Sequence, residues 1–213
     1  MTSLLDELAG LIYGAEPTRR VFFSLHYQRD IWRAQHIKQH WVTKETRTAA
    51  GFFDGSLEEK AKKEGADEVK RLINRGLVGA SVTCVLIGAE TYSRRWVDYE
   101  ILKSIEEGMG VFGVCIHGLK NRDGQRDKRG PNPFHYLGYG VRPDERLQPM
   151  VRYTSGWKNA PHNGVIPRSA APYLQDRRNP VLDDIFSVYD WIEDDGFNNF
   201  NRWVAAAARQ AGR

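Results

Sequence analysis

SVTCVLIGAETYSRRWVDYEILKSIEEG, residues 81–108, joins an apolar run to a helical pattern. Its opening, VTCVLIGA, is an unbroken apolar run, the pattern of a strand buried on both faces rather than one with a wet side. The second half enters a helix that ends at Gly108, a residue suited to closing a helix. On that helix Trp96 and Glu100 are four apart and share a face. A carboxylate beside an indole, just past the carboxyl end of a central strand, stands where open α/β sheets bind ligands. The competing reading makes Trp96 a core residue and Glu100 a solvated helix charge, and spacing alone does not separate the two.

The flanking sequence repeats the strand–helix alternation. RRVFFSLHY (19–27) predicts the first buried strand. QRDIWRAQHIKQHWVTK (28–44) follows with Ile31, Trp32, Ile37 and Trp41 at helical spacing. AAGFFDGSL (49–57) reads as an edge strand and its loop, and EEKAKKEGADEVKRLINRGL (58–77) as a charged loop turning into a helix with Val69, Leu72 and Ile73 inward. VFGVCIHG (111–118) is the next strand. Alternation at these intervals predicts βαβ units, hence an α/β, doubly wound, mainly parallel sheet covered on both faces. A fifth strand is expected near LQPMVRYT (147–154).

The predicted organisation is an N-terminal helical extension over 1–18, with Leu4, Leu5, Leu8, Leu11 and Ile12 on one stripe, and a single domain over 19–213. Within it the core spans 19–118 and an insertion about 119–180. The latter is rich in Gly, Pro, Asn and Arg, too long for a plain connection, and expected to be functional. Residues 180–210 read as two amphipathic helices broken at Gly196, with Ile185, Val188 and Ile192, then Phe200, Trp203 and Val204, facing inward.

Composition bounds the function. A hydrophobic fraction of 41% and a charged fraction of 27% are ordinary for a globular protein. No apolar run approaches the ~18 residues of a bilayer span, and the N-terminus, with Asp6 and Glu7, is a poor secretory signal. Cys84 and Cys115 sit in apolar runs and read as buried thiols of a reducing, cytoplasmic compartment. The net charge of +4 does not point to DNA. The densest basic cluster, KNRDGQRDKRG (120–130), is interleaved with Asp and Gly like a solvated loop, and the charge favours an anionic small ligand.

Several chemistries are excluded by motif. Neither G-x-G-x-x-G nor G-x-x-x-x-G-K-[ST] occurs, which removes the usual dinucleotide and phosphate loops. SLHYQRD lacks the acidic cluster of a Mg²⁺-holding receiver. His36 and His40 could share a metal ion, but no spacing completes the ligand set, so no metal is expected. No nucleophile elbow is present. What converges on the rim is Glu100, Trp96, Tyr92, Arg94 and Arg95, the end of the first strand with Phe23, Ser24 and His26, and the Phe53–Asp54 corner. His117 follows a later strand in the same way. One carboxylate among aromatic and basic groups suits NAD cleavage. Nicotinamide is already a cationic leaving group, so breaking its bond to ribose needs an anion facing the developing oxocarbenium rather than a general acid. Rings would stack on nicotinamide or adenine, and arginines would hold the pyrophosphate.

The run S-R-R-W-V-D-Y-E-I resembles the TIR domain pattern, in which a Trp precedes a catalytic glutamate by four residues on the third helix. RRVFFSLHYQ, HWVTK, AAGFFDGSL, KRLINRGL, SVTCVLIGAETYSRRWVDYEI, GPNPFHYLGY and VYDWIEDDGFNNF together resemble the TIR (ThsB-like) proteins of bacterial Thoeris anti-phage defence, over about residues 19–204. The resemblance implies a flavodoxin-like, five-stranded parallel sheet and Glu100 as the catalytic residue, with Trp96 shaping the pocket. It implies that Phe23, Ser24, His26 and the loop from Asp54 line the site. It further implies an enzyme that converts NAD, as substrate and without a cofactor, into nicotinamide and a cyclic ADP-ribose isomer. That messenger would activate a partner effector in antiviral defence, and self-assembly of TIR subunits would complete the site. The alternatives are a non-enzymatic TIR adaptor and, more weakly, a nucleoside-processing transferase that uses a glutamate at an anomeric carbon.

Overall fold

The computed structural model describes residues 19–42, 47–51, 63–174 and 180–213. The predicted N-terminal helix and Asp54 lie outside them. A five-stranded parallel sheet carries the molecule, built from β1 (Arg19–Leu25), β2 (Arg47–Gly51), β3 (Val82–Ile87), β4 (Gly110–Cys115) and, last in the chain, a short strand Val188–Asp190. The order is β2-β1-β3-β4 followed by Val188–Asp190, every neighbouring pair is parallel, and the fold is flavodoxin-like.

Strand alternation sorts the core into two faces. Val21 and Phe23 of β1, with Val82, Cys84 and Leu86 of β3, point toward α1 (Tyr27–Val42), where Ala34, Ile37 and Trp41 meet them. Phe22 points the other way, against Val69, Ile73 and Leu77 of α2 (Ala66–Leu77) and Trp96 and Tyr99 of α3 (Arg95–Glu106). The i, i+4 spacing of Val69, Ile73 and Leu77 sets which stripe of α2 is buried. Both cysteines are buried and free. Helix α3 closes where Gly108 turns left-handed (φ 64°), its N–H donating to Ile105 O and that of Met109 to Ser104 O, which is a Schellman ending.

Two expectations are corrected. LQPMVRY is not the fifth strand of the main sheet. It is the middle strand of a separate antiparallel sheet made of β5 (Leu137–Val141), β6 (Leu147–Tyr153) and β7 (Gly156–Asn159). Leu147, Pro149 and Val151 are buried while Gln148 and Met150 between them are only half-buried, the alternation of a sheet with one wet face. The second correction concerns 180–210. Instead of two helices, the chain forms the closing strand β8 (Val188–Asp190) and one helix, α4 (Gly196–Gln210). Ile192 is 53% exposed, because the Asp190 carboxylate accepts from the Ile192 and Glu193 N–H groups and turns the chain there. On α4, Phe200, Trp203 and Val204 do face inward, and Phe200 meets Phe23, Trp41, Phe112 and Trp191.

The small sheet belongs to the insertion and shares one hydrophobic cluster with the body. Phe134, Leu137, Tyr139, Leu147 and Val151 pack on Val97, Ile101, Leu102 and Ile105 of α3. The insertion therefore holds the outer side of the helix that carries Glu100.

Candidate active site

In a sheet of this order the chain leaves β1 and β3 in opposite directions, which opens a crevice at their carboxyl ends. Ser24 lies at the end of β1. Its neighbours Phe22 and Phe23 anchor opposite faces, and the alternation turns the Ser24 side chain toward α3. Ser24 Oγ donates to Glu100 Oε2 at 2.5 Å, and both residues are buried. Glu100 is held from behind as well. Ser104 Oγ donates to its backbone carbonyl at 2.7 Å and lies 2.7 Å from Thr83 Oγ1, so a hydroxyl ladder fastens α3 to β3. Burial pushes the Glu100 carboxyl up to about 8, and the Ser24 hydrogen bond opposes that rise. Glu100 is thus no solvated helix charge. It is a desolvated carboxyl with one short hydrogen bond, to the hydroxyl at the end of β1.

Trp96 is 3% exposed and packs with Phe22, Val69 and Tyr99. Its indole is stacked by His162 of the insertion, centroids 5.3 Å apart and planes within 12°, and the Arg95 guanidinium lies 5.1 Å from the ring centroid. The core reading of Trp96 therefore holds together with its place one turn from Glu100. Its indole Nε1 has no hydrogen-bond partner among the described residues.

The remaining predicted residues divide. His26 stands at the rim, lowered to about 4 mainly by burial and then by Arg94, with its Nδ1 3.9 Å from Glu90 Oε2. Arg94 donates to Glu90 Oε2 at 2.6 Å. Tyr92 packs on Tyr136 of the insertion, centroids 5.5 Å apart. Phe23 is not brought to Glu100. Its ring stacks on Phe200 beneath the opposite face of the sheet, because consecutive strand residues point apart. His117 also sits away from Glu100, with its Nδ1 3.4 Å from Asp190. His36 is exposed and His40 packs on Phe197 and Trp191. Among the described residues no group of three or more His, Cys, Asp or Glu could hold a metal ion.

Four residues at or near this edge were not singled out from the sequence: Arg29, Glu90, Tyr136 and His162. Arg29 and Glu90 carried a readable signal, being charges just past β1 and β3. Tyr136 and His162 carried none, since the insertion's path across α3 is set by packing. The basic loop 120–130 also gains a role. Asp127 accepts from Arg29 Nε and Nη2 at 2.9 and 3.0 Å, and Arg33 donates to Leu119 O and Gln125 O, so the loop is strapped across this edge. Among the described residues, cavities lie elsewhere. One of about 290 Å³ is on the outer side of the small sheet beside Met150 and Trp157, and one of about 410 Å³ is at the amino end of the strands beside Lys103 and Arg213. Glu100 lines neither of these two.

Taken together, this is a TIR-like α/β domain with a buried carboxyl set at the carboxyl edge of its parallel sheet. The family model described as "Thoeris protein ThsB, TIR-like domain" matches residues 22–121. A protein of Bacillus cereus (strain MSX-D12), provisionally named cyclic ADP-D-ribose synthase ThsB1, is 45% identical over 194 residues, covering 87% of this chain and 98% of that protein. The chain belongs to the Thoeris ThsB family of TIR-like proteins. Among the described residues no helix is long and apolar enough to cross a membrane.

Proposed function

We propose that this protein is an enzyme that cleaves NAD to nicotinamide and joins the ADP-ribose to itself, releasing a cyclic ADP-ribose isomer as a signal for a partner effector. The observation that carries the reading is the Ser24–Glu100 pair, buried at the β1/β3 crevice. The name of the Bacillus relative supports the same chemistry. The bond from nicotinamide N1 to ribose C1′ breaks with its electron pair going to N1, which neutralises the pyridinium. Glu100, ionised beside this cation, faces the positive charge that develops at C1′. A nucleophile within the same ADP-ribose then attacks C1′ and loses a proton, which balances the reaction. A carboxyl whose proton affinity is raised to about 8 is suited to accept it. Glu100 therefore combines two tasks, anion and proton acceptor. Cyclisation outruns hydrolysis when the internal nucleophile is held at C1′ and water is kept out.

The test is incubation of the full chain with NAD and separation of the products. Nicotinamide and a cyclised ADP-ribose are expected from the unaltered protein, and neither from Glu100→Gln. Turnover that survives in a folded Glu100→Gln protein overturns the mechanism. Intact NAD under all conditions, with assembly onto a partner, favours an adaptor.

A further inference from the structure

Three nitrogen-bearing side chains converge on one carboxylate beside the proposed site. Arg29 Nη1 donates to Glu90 Oε1 at 2.8 Å, Arg94 Nη2 donates to Glu90 Oε2 at 2.6 Å, and His26 Nδ1 lies 3.9 Å from the same oxygen. They come from the start of α1, the N-cap of α3 and the end of β1, so three separate elements aim at this point. Two of the buried nitrogens here, His26 Nδ1 and Arg94 Nε, have no hydrogen-bond partner among the described residues. The Arg94 N–H left in this state has capacity for another acceptor, and the imidazole nitrogen has it in the tautomer that carries its proton there. Burial with the field of Arg94 and Arg29 keeps His26 neutral near pH 7. Two guanidiniums beside a neutral imidazole make an anion site, and the Glu90 carboxylate occupies it.

We propose that Glu90 is an internal stand-in for the diphosphate of the substrate: it holds Arg29 and Arg94 in the empty protein and is displaced when a diphosphate enters between them. The inference rests on the NAD reading for the identity of the ligand. Glu90 is suited to leave because its side chain is 40% exposed and sits on the short turn after β3 rather than inside an element. Arg29 stays in place when Glu90 leaves, because Asp127 grips its other edge. Diphosphate binding then opposes a local carboxylate, which weakens affinity for any molecule that carries the anion alone.

Binding of inorganic pyrophosphate and of ADP-ribose is to be measured by calorimetry at low ionic strength, in the full chain carrying Glu100→Gln so that nothing turns over. Adding Glu90→Gln should tighten both by about tenfold, and adding Arg94→Gln should remove the gain. Adenosine, which carries no phosphate, should bind equally with and without Glu90→Gln. Unchanged or weaker pyrophosphate binding in a folded Glu90→Gln protein overturns the inference and makes Glu90 a brace. If Glu90→Gln does not fold, the unaltered chain decides. Pyrophosphate should raise its thermal midpoint and Arg94→Gln should abolish the rise, while absence of a rise overturns the inference. These measurements need no catalysis, so a chain that binds pyrophosphate but leaves NAD intact fails only the functional reading. One that turns NAD over, yet whose pyrophosphate binding ignores Glu90, fails only this inference.

Discussion

A carboxyl kept away from water costs stability and gains reactivity, and Glu100 shows both sides. Its proton affinity in the fold, about 8, lies above its ordinary value of 4.5. As pH rises the unfolded chain therefore releases this proton first. The folded state carries no penalty below about pH 4.5, loses stability from there to about pH 8, and carries the full penalty above it. Glu100→Gln removes the ionisable group at nearly constant shape. Its thermal midpoint, relative to the unaltered protein, should climb between pH 5 and 8 by an amount worth on the order of a few kcal/mol, while NAD turnover disappears. Parallel melting curves for the two proteins across that range would refute the burial argument. Ser24 acts in the opposite sense, since its hydroxyl favours the ionised form. Ser24→Ala should lower kcat/KM roughly ten- to a hundredfold at neutral pH and move the alkaline-rising limb of the pH profile higher. A profile that merely drops without moving would make Ser24 a spacer rather than a donor.

At the scale of elements, the carboxyl edge is locked by close backbone packing. A methyl group on Gly88, just past β3, would collide with the buried Asp30 carboxyl, and one on Gly130 would collide with the Gly88 carbonyl. Asp30 in turn pairs with Arg33 at 3.3 Å, and Arg33 holds the 119–125 loop. Gly88→Ala should therefore cost about 1–3 kcal/mol in urea unfolding and loosen that loop, seen as faster amide exchange over residues 119–130. A stability loss without faster exchange would mean the loop is held independently. The elements differ in how plainly the chain announces them. β1, β3 and β4 are continuous apolar runs because helices cover both their faces, and α1 to α3 carry stripes of buried residues at helical spacing. β8 is three residues long with two half-buried side chains, too short for any periodicity to stand out. Helical spacing through Ile185, Val188 and Ile192 therefore predicts a helix that does not form. β6 did carry its signal, an alternation of Leu147, Pro149 and Val151, but alternation marks an open-faced sheet, not a strand in the centre of a covered one.

For the whole molecule the buried acids set the pH response. Burial raises Asp30 to about 6, Asp98 to about 7 and Glu100 to about 8, whereas it lowers His26 to about 4. Below about pH 6.5 His26 works against the carboxyls, because the unfolded chain binds its proton more readily. Above that pH the imidazole is neutral in both states and Asp98 and Glu100 decide the sign. Stability should fall between pH 6.5 and 8 by on the order of 2 kcal/mol, measured by denaturant unfolding, and Glu100→Gln should flatten most of the fall. A rise over that interval would mean that these two carboxyls meet more water than their packing indicates.

The parallel sheet, the helix bearing Trp96 and Glu100, and the edge at which a ligand would meet them are legible in the order of residues alone. Those features follow from local periodicity and from the direction of parallel strands, which nearest neighbours in the chain already encode. That Ser24 rather than Phe23 turns toward Glu100, that His162 covers Trp96, and that Glu90 gathers Arg29 and Arg94 emerges from the folded chain. Such pairings join residues 61 to 76 positions apart in two of the cases, Arg29 with Glu90 and Ser24 with Glu100. Contacts at that separation are chosen by how layers pack, and no local pattern records them. The stretch 81–108 thus carried the fold openly, while the company its glutamate keeps had to wait for the chain to close around it.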